Sequence, residues 1–487
     1  MIDAAPAVAM SCPALDSMYR LPAISPLEHA AFIVAGLLLY VLVTRIGHQR
    51  RHPSAAMAWV VAITAFPYLS IPLFLLYGTR KFARPLPRAV SRFDGPGPGD
   101  DVAPPWATRL LAGLNVGAPT HNARVTFHPD GAQALDSLLS LIDGAQREVD
   151  LCTFLLDGDA TGRKVAAALA CAARRGVAVR VLLDSIGSLK ASRRLLRTLR
   201  AAGVQWRWFM PLVHNPMRGR TNLRNHRKLL AVDGRWLWSG GRNIADEYFV
   251  GQPGTPAWAD LSFTVDGPLA AEAHAIFADD WRMARGRFRR RERVPAAPPA
   301  AVPDAAPAGG EVAQLVPSGP DHATDTLHAL LLAAAWQAET RLLAVTPYFV
   351  PDEALIEAWC LACRRGVRVT LVVPRRSNHR LADWARERAL RALVDAGGTV
   401  RLAPAMVHAK AVVVDDCLAL CGSANLDGRS LFLNYELTAA FYGHAEVDHL
   451  GAWIERLAQQ SALHHPVRPA WWRDVIEGMV RVVGFQL

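Results

Sequence analysis

Arg174-Arg-Gly-Val-Ala-Val-Arg-Val-Leu-Leu-Asp184 returns later in the chain as Arg364-Arg-Gly-Val-Arg-Val-Thr-Leu-Val-Val-Pro374. In both copies a helical pattern stops at Arg-Arg-Gly, where glycine supplies the left-handed residue that ends a helix. A β-branched run then follows as a buried strand. Upstream, Glu148 to Leu155 matches Thr340 to Tyr348 as the preceding strand, with helical stretches from Thr161 to Arg174 and from Glu353 to Arg364 in between. Strand, helix, strand, written twice, predicts an α/β fold of two homologous α-β-α repeats, each with a parallel-sheet layer. Residues 105–294 hold the first repeat and 311–487 the second. The Ala/Pro-rich 295–310 reads as a linker and 1–90 as a separate N-terminal segment.

Working outward from this repeat, each half carries one chemical cassette. The first is His226-Arg-Lys228-Leu-Leu-Ala-Val-Asp233 with Gly240-Gly-Arg-Asn243, the second His408-Ala-Lys410-Ala-Val-Val-Val-Asp415 with Gly422-Ser-Ala-Asn425. Histidine to lysine is two residues and histidine to asparagine seventeen in both. On a strand, side chains at i and i+2 share a face, so each histidine and lysine project together. If the halves pack about a pseudo-two-fold axis, two imidazoles, two ammoniums and two amides converge on one phosphate-sized pocket. Satisfied core histidines are the plain alternative for a single His-x-Lys, and the duplication argues against it.

The pattern runs further. Asp260 stands seven residues before Gly267, and Glu436 seven before Gly443. Both acids are therefore candidates to accept a hydrogen bond from the second ring nitrogen of a histidine, fixing its tautomer. Asp233 and Asp415 lie at strand ends before turns, which reads as a structural position. Gly241 stands where the second cassette has Ser423, so the two halves cannot bind phosphate identically.

The chain's 51% hydrophobic content is high for a soluble enzyme, and the excess lies near the N-terminus. His29 to Thr44 and Ala55 to Gly78 contain no charged side chain, predicting membrane segments at about 29–45 and 55–77. The first is short for a span and the second ample, although Pro67 and Pro72 could kink it. Arg45, Arg50 and Arg51 precede the second stretch, and Arg80, Lys81, Arg84 and Arg88 follow it. The heavier cluster favours a cytoplasmic C-terminal part. A net charge of +11 calls for an anionic partner, either nucleic acid or an anionic membrane. The dense basic run Arg285 to Arg293 reads as a solvated face or a leaflet contact. Seven cysteines show no framework, and Cys360-Leu-Ala-Cys363 lacks a second ligand pair, so it reads as packing rather than a zinc site.

The duplicated His-x-Lys-x-x-x-x-Asp with trailing Gly-x-x-Asn resembles the phospholipase D superfamily. Arg224-Asn-His-Arg-Lys228, Gly240 to Tyr248, Thr346-Pro-Tyr-Phe-Val-Pro-Asp352 and Gly422 to Ser430 are similar to its cardiolipin synthase branch, as are the two apolar stretches. The resemblance implies phosphatidyl transfer between phosphatidylglycerol molecules through a phosphatidyl-histidine, at a bacterial inner membrane. It implies a catalytic set of His226, Lys228, Asp233, His408, Lys410 and Asp415. In that set His226 is the nucleophile and His408 the general acid, an order that near-symmetry leaves open. Substrate ligands would be Asn243, Asn425 and Ser423, with no cofactor and no metal, because the phosphate ligands are amines, amides and imidazoles. A hydrolytic phospholipase D, a nuclease and an inactive lipid-binding scaffold stay as alternatives. The anchor, and the lack of a basic stripe interleaved with aromatics, speak against nucleic acid.

Overall fold

A computed structural model describes residues 25–46, 53–78, 102–189, 191–210, 223–284, 310–322, 324–467, 469–470 and 477. The charged connector at 50–51, the basic segment 80–88, Cys12, the Arg285–Arg293 run and linker residues 295–309 lie outside them. The chain divides into two units, Met1–Thr79 and Arg80–Leu487.

In the first unit, Pro26–Ile46 is one helix. Ser25 and Glu28 cap it reciprocally, the Ser25 N–H donating to Glu28 at 2.8 Å and the Glu28 N–H to Ser25 Oγ at 3.2 Å. The second apolar stretch is not continuous. It forms helices Pro53–Ala65 and Pro67–Tyr77, because Pro67 has no N–H to continue the ladder and forces Phe66 out of helical geometry, to φ −137°. The Ser70 hydroxyl donates to the Ala62 carbonyl across the break at 2.8 Å. The stretch expected as the ample span is thus two helices rather than one continuous helix. Thirteen and eleven residues rise only about 20 and 16 Å, short of the ~30 Å hydrocarbon core. Among the described residues, Pro26–Thr44 is the one helical stretch long and apolar enough to cross a membrane. Tyr40, Ile63 and Phe74 form a small core, while Leu27, Leu38, Val61 and Phe66 stay exposed.

The second unit holds two sheets that correspond strand for strand. The first runs Arg124–His128, Ser262–Asp266, Trp236–Gly240, Leu229–Val232, Glu148–Thr153, Ala178–Asp184, Gln205–Phe209. The second runs Glu311–Ser318, Glu436–Phe441, Leu418–Gly422, Ala411–Val414, Arg341–Val345, Arg368–Pro374, Thr399–Ala403, with a short strand added at each edge. Only the last three of each series are parallel to one another. The sheets are thus mixed rather than parallel. The reason is a pair of tight hairpins, of which the first turns at Asp233-Gly234 with φ +54° and +68°, the geometry a two-residue turn needs.

Strand alternation divides the side chains between layers: Leu151 joins an outer core under the helices Gly131–Gly144 and Ala160–Arg174, and Cys152 a central core. The central core is shared by both halves and contains the helices Leu269–Met283 and His444–Gln459. Gly176 and Gly366, at φ +94° and +95°, end the two equivalent helices as their position predicts. Cys360 and Cys363 lie on the helix Glu353–Arg364 as free thiols. Residues 105–122, read above with the first repeat, join the second. Ala107 and Leu111 enter its outer core, and Thr120–Asn122 pairs with Glu311–Ser318.

Candidate active site

The two cassettes do not sit inside the strands but in the extended lead-ins to Leu229–Val232 and Ala411–Val414. Each lead-in is held by the other repeat. The His226 N–H donates to the Tyr435 carbonyl at 2.9 Å, and the His408 N–H to the Ala259 carbonyl at 2.7 Å. The residue after each acceptor is the candidate acid, so the pairing of side chains also crosses the halves. His226 Nδ1 lies 3.0 Å from Glu436, and His408 Nδ1 2.7 Å from Asp260. The structure brings His226, Lys228, His408, Lys410, Asp260 and Glu436 together. The crossing was not legible, because spacing within one repeat says nothing about which repeat supplies the partner.

Lys228 Nζ donates to the His226 carbonyl at 2.8 Å, and Lys410 Nζ to the His408 carbonyl, with the His408 Nε2 3.0 Å away. Burial sets the electrostatics. It pulls His226 down to about 4 and His408 to about 3, against the upward pull of Glu436 and Asp260. Lys228 falls to about 7 and Lys410 to about 8, burial again leading. Both acids are held below the usual carboxylate range against burial, Asp260 at about 2 chiefly through His408, Glu436 chiefly through His226. Ionised acceptors at Nδ1 leave the opposite ring nitrogen of a neutral imidazole with its lone pair available.

Three sequence readings change. Ser423, read as a substrate ligand, is fully buried, and its hydroxyl donates to Glu436 at 2.5 Å while accepting the Leu437 N–H at 2.9 Å. It steadies the acid. The glycine opposite has a matching reason: a Cβ at Gly241 would lie 2.2 Å from Asp260 Oδ1. Asp233 and Asp415 are not at the histidines, which corrects their place in the catalytic set and agrees with their strand-end position. The Asp233 carboxylate accepts the N–H groups of Gln146, Arg147 and Glu148, and Asp415 those of Glu339, Thr340 and Arg341. Each clips its hairpin to the neighbouring strand. The Gly241→Ala enzyme is expected to keep its fold and lose about 10²-fold in kcat, since ångström displacements of Asp260 misalign His408; steady-state rates beside a thermal melt check this.

Asn243 and Asn425 are buried, each with an Oδ1 that has no hydrogen-bond partner among the described residues, and Asn243 Nδ2 donates to Tyr248 Oη at 2.9 Å. Residues that sequence reading missed complete the walls. Tyr248 and Trp258 lie against His408, with ring centroids at 4.9 and 5.7 Å, and Phe154 against His226 at 5.1 Å. Arg227, between His226 and Lys228, points the other way into ion pairs with Asp280 at 2.7 Å and Asp321 at 3.0 Å. Arg242 donates to the carbonyls of His128, Pro129, Tyr248 and Asp260. The signal for Arg227 was present, since the residue between two same-face side chains must face the opposite way.

Among the described residues, a group of acids and histidine outside this site is Glu148, Asp150 and His274, and there Arg180 already pairs with Asp150 through two nitrogens at 2.6 and 2.7 Å.

Comparison with known proteins agrees with this geometry. The family described as "Cardiolipin synthase, PLD-like domain" matches residues 138–281 and 331–458. The major cardiolipin synthase of Bacillus subtilis (strain 168) is 30% identical over 442 residues, covering 86% of this chain and 90% of the relative. Cardiolipin synthase A of Pseudomonas fluorescens (strain SBW25) is 31% identical over 445 residues, covering 86% and 88%. The crystal structure of a phosphatidylserine synthase from Haemophilus influenzae Rd KW20 superposes with a TM-score of 0.60 at 16% identity, covering 78% of this chain and all of that one, which shows a shared fold. With both repeats matched and relatives aligned along most of their length, the chain belongs to the cardiolipin synthase family of PLD-like proteins.

Proposed function

We propose that the chain is a phosphatidyltransferase that makes cardiolipin and glycerol from two molecules of phosphatidylglycerol. The observation that carries this reading is the pair of buried imidazoles, each oriented by a carboxylate of the opposite repeat beside two ammoniums. In the first step His226 Nε2 attacks phosphorus, the bond to the glycerol oxygen breaks, and His408 delivers its proton to that oxygen. In the second step a hydroxyl of another phosphatidylglycerol gives its proton to His408 and attacks phosphorus, and the N–P bond breaks. An anionic diester beside the imidazoles raises their pKa, so His408 takes up its proton as substrate binds. Lys228 and Lys410 neutralise the charge on the phosphoryl oxygens, with the Asn243 and Asn425 amides beside them.

Family resemblance and the helix Pro26–Ile46 support an inner-membrane location, the heavier basic cluster at Arg80, Lys81, Arg84 and Arg88 supports a catalytic unit facing the cytoplasm, and the broken second stretch supports a multi-pass or re-entrant anchor. The test is product analysis by mass spectrometry of full-length enzyme with defined phosphatidylglycerol in a chelator. Cardiolipin with equimolar glycerol supports the proposal. Phosphatidic acid alone would assign a hydrolase, and loss of activity restored by a metal would overturn the mechanism.

The lysines also predict a pH dependence. Their pKa values are depressed, so their positive charge is present below about 7 and 8 and is lost as pH rises through those values. Apparent KM for phosphatidylglycerol should rise about tenfold from near-neutral to about pH 9, while kcat holds further into the alkaline range because bound phosphate keeps the ammoniums charged. A KM independent of pH would contradict this.

A further inference from the structure

The equivalent strands Ala178–Asp184 and Arg368–Pro374 each end on the same side as the histidines, and the loop that follows each is tied to the segment after the neighbouring strand, to Phe154 in the first repeat and to Tyr348 in the second. In the first repeat, Ser188 Oγ donates to the Phe154 carbonyl at 2.9 Å, and Gly187 packs so closely that a Cβ would lie 2.8 Å from the Phe154 ring. In the second, Tyr348 Oη donates to Asn378 at 2.5 Å and its ring meets His379 at 5.3 Å. The first loop then exposes Ile186 at 40% and Leu189 at 63%, and the helix Arg380–Asp395 that follows the second exposes Leu381 and Trp384 at 52% each, none of them used by the catalytic account. Arginines stand beside both pairs, with Arg193 and Arg194 exposed after the first loop and Arg375 and Arg376 exposed before the second pair. Scattered exposed apolar residues need no explanation, but both pairs follow equivalent strands of the two repeats and both have exposed arginines beside them.

We infer that the first loop and the start of the helix Arg380–Asp395 form one membrane-docking rim, inserting Leu189, Leu381 and Trp384 among the headgroups of an anionic bilayer while the arginines engage lipid phosphates. Apolar tips with a tryptophan and flanking arginines match the composition of interfacial membrane contacts. Such a rim turns the mouth of the site toward the lipid surface, so a phosphatidyl headgroup enters with its acyl chains still in the leaflet. The inference rests on the lipid-transfer reading above but makes a separate claim about surface.

The test uses full-length enzyme carrying a genetically encoded, environment-sensitive fluorophore at position 189, 381 or 336. Trp336 is 55% exposed near the opposite end of the strands, just before Arg341–Val345 begins, and serves as the control. In reconstituted vesicles of phosphatidylglycerol and phosphatidylcholine, emission from 189 and 381 should shift to the blue and be quenched by brominated acyl chains, while 336 stays unshifted. The Leu189→Asp, Leu381→Asp enzyme should lose about tenfold or more in its ratio of activity on vesicle to monomeric short-chain phosphatidylglycerol. Unshifted probes at 189 and 381 in vesicles that accumulate cardiolipin would overturn the rim and leave the enzymatic proposal standing. Shifted probes without cardiolipin would support the rim and count against the enzymatic proposal.

Discussion

Replacement of His226 by alanine is expected to abolish phosphatidyl transfer from every donor, whereas replacement of His408 should spare donors whose leaving group needs no proton. His226 Nε2 forms the bond to phosphorus, so its loss should cost on the order of 10⁶-fold in kcat, the scale on which a covalent nucleophile is missed. His408 contributes proton transfer, worth about 10²–10⁴-fold on the natural glycerol leaving group. A nitrophenyl ester of phosphatidic acid departs as a stable phenolate, so with that donor the His408→Ala enzyme should release nitrophenol in a burst equal to the enzyme concentration. It should then stall, because no base is left to activate the acceptor. A burst from His226→Ala and none from His408→Ala would reverse the two roles while keeping the site.

The second large effect concerns the crossed acids. Glu436 accepts from His226 Nδ1 at 3.0 Å and is itself held by Ser423 at 2.5 Å and Asn434 Nδ2 at 3.3 Å. A Glu436→Gln side chain fits the same space but can turn its NH₂ toward Nδ1. That forces the ring proton to Nε2 and removes the lone pair that attacks phosphorus, a tautomer penalty of about 10⁴-fold in a comparable acid–histidine pair. Asp260→Asn should cost a similar factor with phosphatidylglycerol, acting through His408. The two variants separate on the nitrophenyl donor: the burst should return in Asp260→Asn and stay absent in Glu436→Gln. Equal behaviour of the pair on both donors would mean that the acids serve stability rather than proton placement.

Much of this was readable before any coordinates. Arg174–Asp184 and its copy, the His-x-Lys pairs and the two acids are local or repeated patterns, and repetition turns weak signals into a joint one. What was not readable depends on contacts between distant segments. The direction of the strands beside the histidines turned on Asp233-Gly234: the turn was legible, but not that it folds Trp236–Gly240 back antiparallel onto Leu229–Val232. Ser423 resembled a phosphate ligand because its position beside Asn425 is known from the sequence, while its partner Glu436 sits on the adjoining strand. The long apolar stretch at Ala55 to Gly78 has the composition of a span, and Pro67 decides against one continuous helix. Residues 105–122 open the first repeat in sequence, yet the free edge that Thr120–Asn122 covers belongs to the second.

The central claim is a covalent phosphatidyl-enzyme at the crossed histidine pair, and its most direct test is to catch that species. Wild-type enzyme mixed with phosphatidylglycerol, quenched in base within a turnover and digested, should yield a peptide containing His226 heavier by one phosphatidyl group. Unquenched enzyme chased with labelled phosphatidylglycerol should pass that group into cardiolipin at the catalytic rate. Cardiolipin accumulating at full rate with neither histidine ever modified would contradict the account.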